Sequence, residues 1–229
     1  MKTISIVSQK GGAGKTTLAI HLAVAASHAG MNTAVIDLDP QASSTKWADQ
    51  RQTELPVVIS AHASRLSQVL ETARSEGGEL AIIDTAPHSD NAALEAARMA
   101  DVVLIPCRPS MLDLEAIANS LDIAKLAHRP ATVILNAVAP SGSEADEAEE
   151  AITQFGGETC PIRLVNRVAY ARAIVYGQSA QEYEPHGKAA QEIEALHKFM
   201  CAHYLICTPS QKGKKNEQIR RREIGRAHV

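Results

Sequence analysis

The feature that most constrains the fold of this 229-residue chain is a regular alternation of two kinds of apolar segment. Short runs rich in valine and isoleucine predict β-strands at 4–8, 33–37, 57–60, 80–84, 102–106 and 132–137. Longer helical patterns lie between and after them, near 15–29, 41–52, 64–76, 90–100, 111–128, 143–155 and 186–205. The strand runs mostly lack polar alternation, which is typical of parallel strands buried on both faces. The order predicts one α/β domain over residues 1–207, a mostly parallel twisted sheet with helices on both faces.

The charge of the chain is unevenly divided. Its 23 basic and 26 acidic residues give a net charge of −3, but residues 208–229 hold seven basic and two acidic ones. The body, residues 1–207, therefore carries −8 and could bind DNA only through a local basic patch. The segment 208–229 is polar and aperiodic, which predicts disorder. Its last six residues resemble the translation of a common sequencing adapter, so we assign it no function.

Several classes of protein are disfavoured by composition. Aromatic residues make up only 3% of the chain, which argues against binding of single-stranded nucleic acid by base stacking. The sequence has no apolar stretch of 18 residues and no pattern of a signal peptide, so we expect a cytoplasmic protein without a membrane partner. The spacing of the four cysteines fits no metal site and predicts buried thiols.

A glycine-rich segment, SQKGGAGKTT, lies between the first predicted strand and the first predicted helix. Its glycines allow the backbone to curl so that successive N–H groups point at one anion, and the positive end of the following helix adds to that field. Lys15 can then reach the β- and γ-phosphates of a nucleotide, and the hydroxyl of Thr16 can bind Mg²⁺. The segment predicts a P-loop for a nucleotide, formed by Gly11, Gly12, Ala13, Gly14, Lys15, Thr16 and Thr17.

Carboxylates end two further predicted strands, in VIDLDPQ and LAIIDTAP. The carboxyl ends of parallel strands border the ligand crevice of such sheets. We therefore expect Asp84 to hold Mg²⁺ through water opposite Thr16, and residues 85–87 to form a switch loop that senses the γ-phosphate. Asp39 lies just before the helix predicted at 41–52 and could cap it.

The loop departs from the usual P-loop pattern, because Gln9 stands where the first glycine is expected and Lys10 precedes the glycines. This form resembles the deviant Walker A motif of the ParA/MinD ATPases, and the likeness extends over residues 1–206. The resemblance implies a P-loop NTPase fold and an ATP-dependent homodimer in which Lys10 reaches the phosphates of the partner. It also implies that Asp39 positions the attacking water, that Asp37 supports the Mg²⁺ site and that Asn136 binds the adenine edge. From the sequence alone, Lys10 could be a solvated charge and Asn136 a turn residue.

No acidic residue occurs between positions 159 and 181, whereas three arginines do. Repeated arginines suit contacts with DNA phosphates, which carry no sequence information. ParA-type dimers bind DNA non-specifically through basic residues late in the chain, so the resemblance makes Arg163, Arg167, Arg172 and Lys188 candidate DNA-binding residues. Ordinary surface charges or ion pairs of the nucleotide pocket are the alternative.

The resemblance implies the function of a DNA-partition ATPase on the nucleoid. ATP would drive dimerisation, the dimer would bind non-specific DNA, and a ParB-like partner would stimulate slow hydrolysis to move a plasmid, chromosome or protein cargo. A short segment before the first strand predicts no N-terminal helix-turn-helix. Two alternatives are a metabolic P-loop ligase of the same superfamily and a MinD-like positioning ATPase. The spacing of Ile193, Leu196, Phe199 and Met200 favours a core-facing helix over a membrane-binding one.

Overall fold

In the computed structural model, which describes residues 1–205 (by backbone alone at positions 111, 112 and 115), six parallel strands form one sheet. The predicted disordered segment 208–229 lies outside the described residues. The strands are β1 Lys2–Ile6, β2 Thr33–Asp37, β3 Val57–Ser60, β4 Leu80–Asp84, β5 Val102–Cys107 and β6 Ala131–Leu135. Their spatial order is β3-β2-β4-β1-β5-β6. The predicted parallel α/β sheet is confirmed.

The register of the three central strands brings their carboxyl ends to one level. Asp84 at the end of β4 is paired with Ile6 of β1 on one side and with Asp37 of β2 on the other. The loops after β1, β2 and β4 therefore emerge side by side. This edge of the sheet is where ligands bind in open parallel α/β folds.

Nine α-helices connect or follow these strands within the described part of the chain. They are α1 Lys15–His28, α2 Ser43–Ala48, α3 Leu66–Ser75, α4 Asp90–Met99, α5 Met111–Leu126, α6 Glu144–Gln154, α7 Val168–Val175, α8 Ala180–Tyr183 and α9 Lys188–Met200. A 3-10 turn at Ala63–Arg65 precedes α3, and a π-helical turn at Cys201–Leu205 follows α9. None of the helices within residues 1–205 is long and apolar enough to cross a bilayer.

The core has two layers, because alternate residues of each buried strand face opposite sides of the sheet. Val102 and Leu104 of β5 pack with α1 and α9, whereas Val103 and Ile105 pack with α4, α5 and α6. The core-facing interpretation of α9 is confirmed. Its residues Ile193, Leu196 and Met200 are buried, and Phe199 packs against the same cluster.

Two parts of the helix prediction are wrong. The helix expected over 41–52 is only α2, because the chain first makes a turn in which the amide of Ala42 donates to the carbonyl of Asp39. Its last turn then tightens, with bonds from Gln50 and Arg51 back to residues three positions earlier. The short helices α7 and α8 were not predicted. The expected burial of the thiols holds for Cys107 and Cys160, while Cys201 is half-buried and Cys207 lies outside the described residues.

Candidate functional site

The loop that joins β1 to α1 relies on glycine at two positions. Gly12 and Gly14 have φ angles of +77° and +100°, which residues with side chains rarely adopt. At Gly14 a Cβ atom would also overlap the side-chain nitrogen of Asn136. Gly14 is the N-cap of α1 and offers no side chain to the first helical N–H groups. Those donors and the positive end of the helix are thus available to an anion.

The predicted phosphate-binding residues lie together in this loop and in the first turn of α1: Gly11, Gly12, Ala13, Gly14, Lys15, Thr16 and Thr17. Lys15 is only 7% exposed, and its ammonium donates to the carbonyls of Ser8 at 3.0 Å and Lys10 at 3.3 Å. Burial lowers the pKa of Lys15, while the charges of Asp84 and Asp39 act to raise it. The cation is therefore held over the loop by two carbonyls that a phosphate can replace.

Asp84 is the most buried carboxylate of the site. Its Oδ2 accepts hydrogen bonds from the hydroxyls of Thr16 and Ser44, both at 2.8 Å. Its Oδ1 is buried and has no hydrogen-bond partner within residues 1–205. Burial raises the pKa of Asp84 to about 6, although the two hydroxyl bonds and the charge of Lys15 oppose the shift. An ionised carboxylate in this position needs a cation.

The chemistry of these groups fits Mg²⁺. A buried carboxylate oxygen without a partner lies beside the hydroxyl of Thr16, and both are oxygen ligands of the kind that Mg²⁺ takes. No cluster of three or more His, Cys, Asp and Glu side chains that could hold a metal occurs in the described part of the chain. A magnesium ion here would thus depend on nucleotide phosphates and water for its other ligands, as is usual for this ion.

Asp37 and Asp39 have different surroundings. The buried Asp37 accepts at Oδ2 from both the amide and the hydroxyl of Thr45, each at 3.0 Å, and at Oδ1 from the amide of Asp39. It therefore holds the first turn of α2, and this use of both oxygens argues against the magnesium role expected for it. Asp39 is half-exposed, and its Oδ1 accepts from the amide of Gln41 at 2.9 Å. Asp37, rather than Asp39, thus accepts the hydrogen bond from an amide in the first turn of α2 that helix capping requires.

Ser44 and Thr85 add two contacts that the sequence did not indicate. The buried hydroxyl of Ser44 ties α2 to Asp84, but a serine in a predicted helix has no distinguishing pattern. Thr85, in the proposed switch loop, donates its hydroxyl to the carbonyl of Ile6 at 2.7 Å and so joins the ends of β4 and β1. The first contact links the carboxylate of Asp84 to α2, and the second links the end of β4 to the strand that leads into the P-loop.

A cavity of about 180 Å³ lies on the other side of the P-loop. Asn136 borders it and donates from Nδ2 to the carbonyl of Ala13 at 2.8 Å. Its lining also includes Gly14, Thr17, Arg108, Val165, Arg167 and Tyr170. Whole ligand pockets are usually about 300–1,000 Å³, so this one suits only part of a ligand. With Lys15 and Thr16 at the phosphate end, it lies where a nucleotide base would fit.

The candidate DNA-binding residues do not form one free patch. Arg163 is ion-paired with Asp146 and Glu149 at 2.6 and 2.8 Å, and Arg167 with Glu192 at 2.6 Å. The stretch that is free of acids in sequence is thus not free of them in space, because α6 and α9 supply the carboxylates. Two acidic residues of α6, Asp146 and Glu149, are used in this way.

Arg172 and Lys188 differ from the other two cations. Both are exposed and make no ion pair with another residue of the described chain. They line a surface cavity of about 390 Å³ at the beginnings of α7 and α9. Lys10 is half-buried beside the P-loop, and its ammonium likewise has no ion pair within residues 1–205. These three lysine and arginine side chains are available to phosphates outside the protomer.

The parallel sheet, the glycine-rich loop with Lys15 and the buried Asp84 together define a P-loop nucleotide-binding protein. The chain belongs to the CobQ/CobB/MinD/ParA nucleotide binding domain family, whose sequence model matches residues 4–180. The resemblance inferred from the deviant loop is thereby confirmed.

Three comparisons illustrate the breadth of this family. The chain is 33% identical over 201 residues to the Maintenance of carboxysome distribution protein A of Gloeobacter kilaueensis, covering 85% of this chain and 89% of that protein. It is 30% identical over 217 residues to Protein ParA of Rhizobium radiobacter, covering 88% and 96%. Among solved structures, the septum site-determining protein MinD of Pyrococcus horikoshii complexed with Mg-ADP has the same fold. Its TM-score is 0.71 at 18% identity, with 87% and 95% of the two chains covered.

Proposed function

We propose that this chain is a Mg²⁺-dependent ATPase of the ParA type, which hydrolyses ATP to ADP and phosphate and uses this cycle to position a cargo. The observation that carries the proposal is the buried Oδ1 of Asp84, which has no partner within residues 1–205. It lies in the same site as Lys15, whose ammonium bonds to the loop carbonyls of Ser8 and Lys10. A metal-bound triphosphate would satisfy both groups at once.

The nucleotide would be held from two sides of the P-loop. Lys15 would exchange the carbonyls of Ser8 and Lys10 for phosphate oxygens, and the N–H groups of the loop and of α1 would bind the rest of the phosphate chain. Thr16 and Asp84 would hold Mg²⁺, which when bound neutralises phosphate charge. On the other side, Asn136 would contact the base from the cavity wall.

Hydrolysis needs an ordered water near the γ-phosphate, and Asp39 is the best candidate to orient it. Asp39 is half-exposed, and its charge is close enough to Lys15 to act to raise the pKa of that lysine. Asp37 is less suited, because its oxygens hold α2 and Asp39 in place. Lys10 would act across an ATP-dependent homodimer, where its cation would reach the phosphates of the partner protomer.

The positioning function would need a surface to move on and a cargo adaptor. We assign non-specific DNA binding on the nucleoid, in the cytoplasm, to Arg172 and Lys188, the two cations of the predicted set without ion pairs inside residues 1–205. The names of two relatives, a carboxysome-distribution protein and a chromosome-partitioning ATPase, support a protein assembly or a chromosome as cargo, and a plasmid is the third cargo of this proposal. A ParB-like partner bound to that cargo would stimulate ATP hydrolysis.

The direct test compares two lysines of the same loop. Lys15→Ala is expected to lower the affinity for Mg-ATP at least about 100-fold, because the loss of a buried charged contact costs several kcal/mol. Lys10→Ala is the matched control and should keep ATP affinity within about threefold in the monomer. Isothermal titration with Mg-ATP and a phosphate-release assay measure both. ATP binding by Lys15→Ala at the wild-type level would contradict the proposal.

A further inference from the structure

The carboxylate of Glu192, on α9, accepts four hydrogen bonds from residues that line the cavity of about 180 Å³ bordered by Asn136. Its Oε1 accepts from Nε of Arg167 at 2.8 Å and from Nη2 of the same side chain at 2.6 Å. Its Oε2 accepts from the hydroxyl of Tyr170 at 2.9 Å and from the amide of Val165 at 3.2 Å. The Glu192 side chain is only 15% exposed, so these bonds are shielded from water.

Each of the three residues bound by Glu192 lines the cavity beside the P-loop. Arg167, Tyr170 and Val165 line it together with Gly14 and Thr17, which belong to the phosphate-binding segment. One carboxylate therefore sets the position of a whole wall. The ion pair also neutralises Arg167, so the positive charge of this arginine is balanced by Glu192 where it faces a ligand in the cavity.

The wall is supported from the P-loop side as well. The ring of Tyr170 packs edge-on against the buried ring of His21, with centroids 5.1 Å apart. His21 bonds through Nδ1 to the carbonyl of Thr17 at 2.8 Å, which requires that Nδ1 carry the proton. Thr17 itself borders the cavity. Because His21 lies on α1, Tyr170 is held between Glu192 and the helix that begins at the P-loop. Such a wall has little freedom to adapt to a base of another shape.

We propose that Glu192 is a positioning residue of the nucleotide site, which holds Arg167 and Tyr170 as a rigid wall for the base of ATP. The proposal rests on the nucleotide-binding function proposed above and adds to it a determinant far along the chain, on α9. Glu192 acts on the base through its partners and leaves the phosphate end, around Lys15, unaffected. Loss of Glu192 should therefore weaken recognition of the base and spare that of the phosphates.

The test uses two ligands that share the phosphate end: Mg-ATP and Mg-tripolyphosphate, which has no base. Titration calorimetry measures both on the full chain. For Glu192→Gln we expect about tenfold weaker binding of ATP, the usual effect of losing one good charged hydrogen-bond set. Binding of tripolyphosphate should stay within about twofold, and the preference for ATP over GTP should fall.

Glu194→Gln is the matched control. It removes the same charge from the same helix, but Glu194 is exposed and, within residues 1–205, its ion pair is with Lys198 and not with a residue that lines the cavity. It should leave all three affinities unchanged. Tyr170→Phe is a second variant that guards against misfolding of Glu192→Gln, because it deletes only the hydroxyl that Glu192 binds. It should weaken ATP binding by about threefold with no loss for tripolyphosphate.

The outcomes separate this proposal from the general function. Equal losses of ATP and tripolyphosphate in Glu192→Gln would mean that Glu192 only stabilises the fold, and would overturn its positioning role. Unchanged ATP affinity in both Glu192→Gln and Tyr170→Phe would overturn it too. Wild-type protein that binds neither ligand would instead refute the nucleotide-binding function itself.

Discussion

At the scale of single residues, the site depends on a carboxylate that the protein only half satisfies. Asp84 has two hydroxyl donors on Oδ2 but a buried Oδ1 without a partner among the described residues. Buried polar groups are nearly always paired, and each exception calls for a functional or structural reason. A bound cation is the reason that the neighbouring P-loop suggests.

The raised pKa of Asp84 predicts a pH dependence of nucleotide binding. Because burial raises its pKa to about 6, the folded, ligand-free protein takes up a proton there as the pH falls below that value. Mg²⁺ requires the ionised form, so affinity for Mg-ADP should fall about tenfold between pH 7 and pH 5. In Asp84→Asn, the affinity for Mg-ADP should be weak at both pH values, and any remaining change of affinity with pH reports protonation of the ligand itself. Titrations at both pH values with both proteins measure the difference, and parallel slopes would contradict the assignment.

The raised pKa of Asp84 also affects the stability of the ligand-free protein, which should increase as the pH falls, whereas the affinity for Mg-ADP decreases. A carboxylate whose pKa is raised on folding destabilises the folded state above that pKa, and the penalty is relieved as the pH falls from about 6 towards the ordinary value. The penalty amounts to roughly 3 kcal/mol for a shift of this size. Magnesium nucleotide should remove it at neutral pH.

At the scale of elements, α2 connects the site to a distant part of the chain. Its first turn is bonded to Asp37 and Asp84 through Thr45 and Ser44. Beyond its end, Arg51 makes a two-point ion pair with Glu182 of α8 and stacks over Trp47. The Arg51 side chain is only 4% exposed, so this contact is a buried one.

Breaking this connection should cost much of the protein's stability. We expect Arg51→Ala to lower the free energy of unfolding by about 3 kcal/mol, because it removes the two-point partner of Glu182, which then keeps the amide of Ser179 and the side chain of His28 as its neighbours. Arg74→Ala is the control, since Arg74 forms an exposed pair with Glu71 and should change stability by less than about 1 kcal/mol. Urea unfolding followed by circular dichroism measures both. Equal midpoints would show that the Arg51 contact is not a structural one.

The elements also show how far the sequence could predict the molecule. All six strands were predicted, because a buried parallel strand is an apolar run that needs no distant information. The helices α7 and α8 have eight and four residues, too short for a clear helical period. The P-loop and Asp84 were predicted since each belongs to a local motif. Ser44 and Glu192 were missed because their partners lie 40 and 25 residues away.

At the scale of the whole molecule, the distribution of charge decides what surface can meet DNA. The body carries −8, and carboxylates from α6 and α9 neutralise two of the candidate DNA-binding arginines, Arg163 and Arg167. Electrostatic attraction must then come from a local group of unpaired cations. Within the described chain, Arg172 and Lys188 are the members of the predicted set that meet this condition.

This arrangement predicts which arginine sets the salt dependence of DNA binding. Arg172→Ala should weaken ATP-dependent binding to any duplex and reduce the slope of log affinity against log salt by about 0.9 for each copy in contact. Arg163→Ala changes the net charge equally but removes a cation already paired with Asp146 and Glu149. It should leave the slope unchanged. Anisotropy with a labelled random duplex measures both, and equal effects would mean that only the overall charge matters.

The central claim is that the P-loop binds a magnesium triphosphate and that two copies then close around it. Sedimentation velocity in the presence of Mg²⁺ and a non-hydrolysable ATP analogue tests this most directly. The wild-type chain should be monomeric without nucleotide and dimeric with the triphosphate, and Lys10→Ala should bind the analogue but remain monomeric. A wild-type chain that stays monomeric with the analogue bound, or a Lys10→Ala variant that dimerises normally, would contradict it.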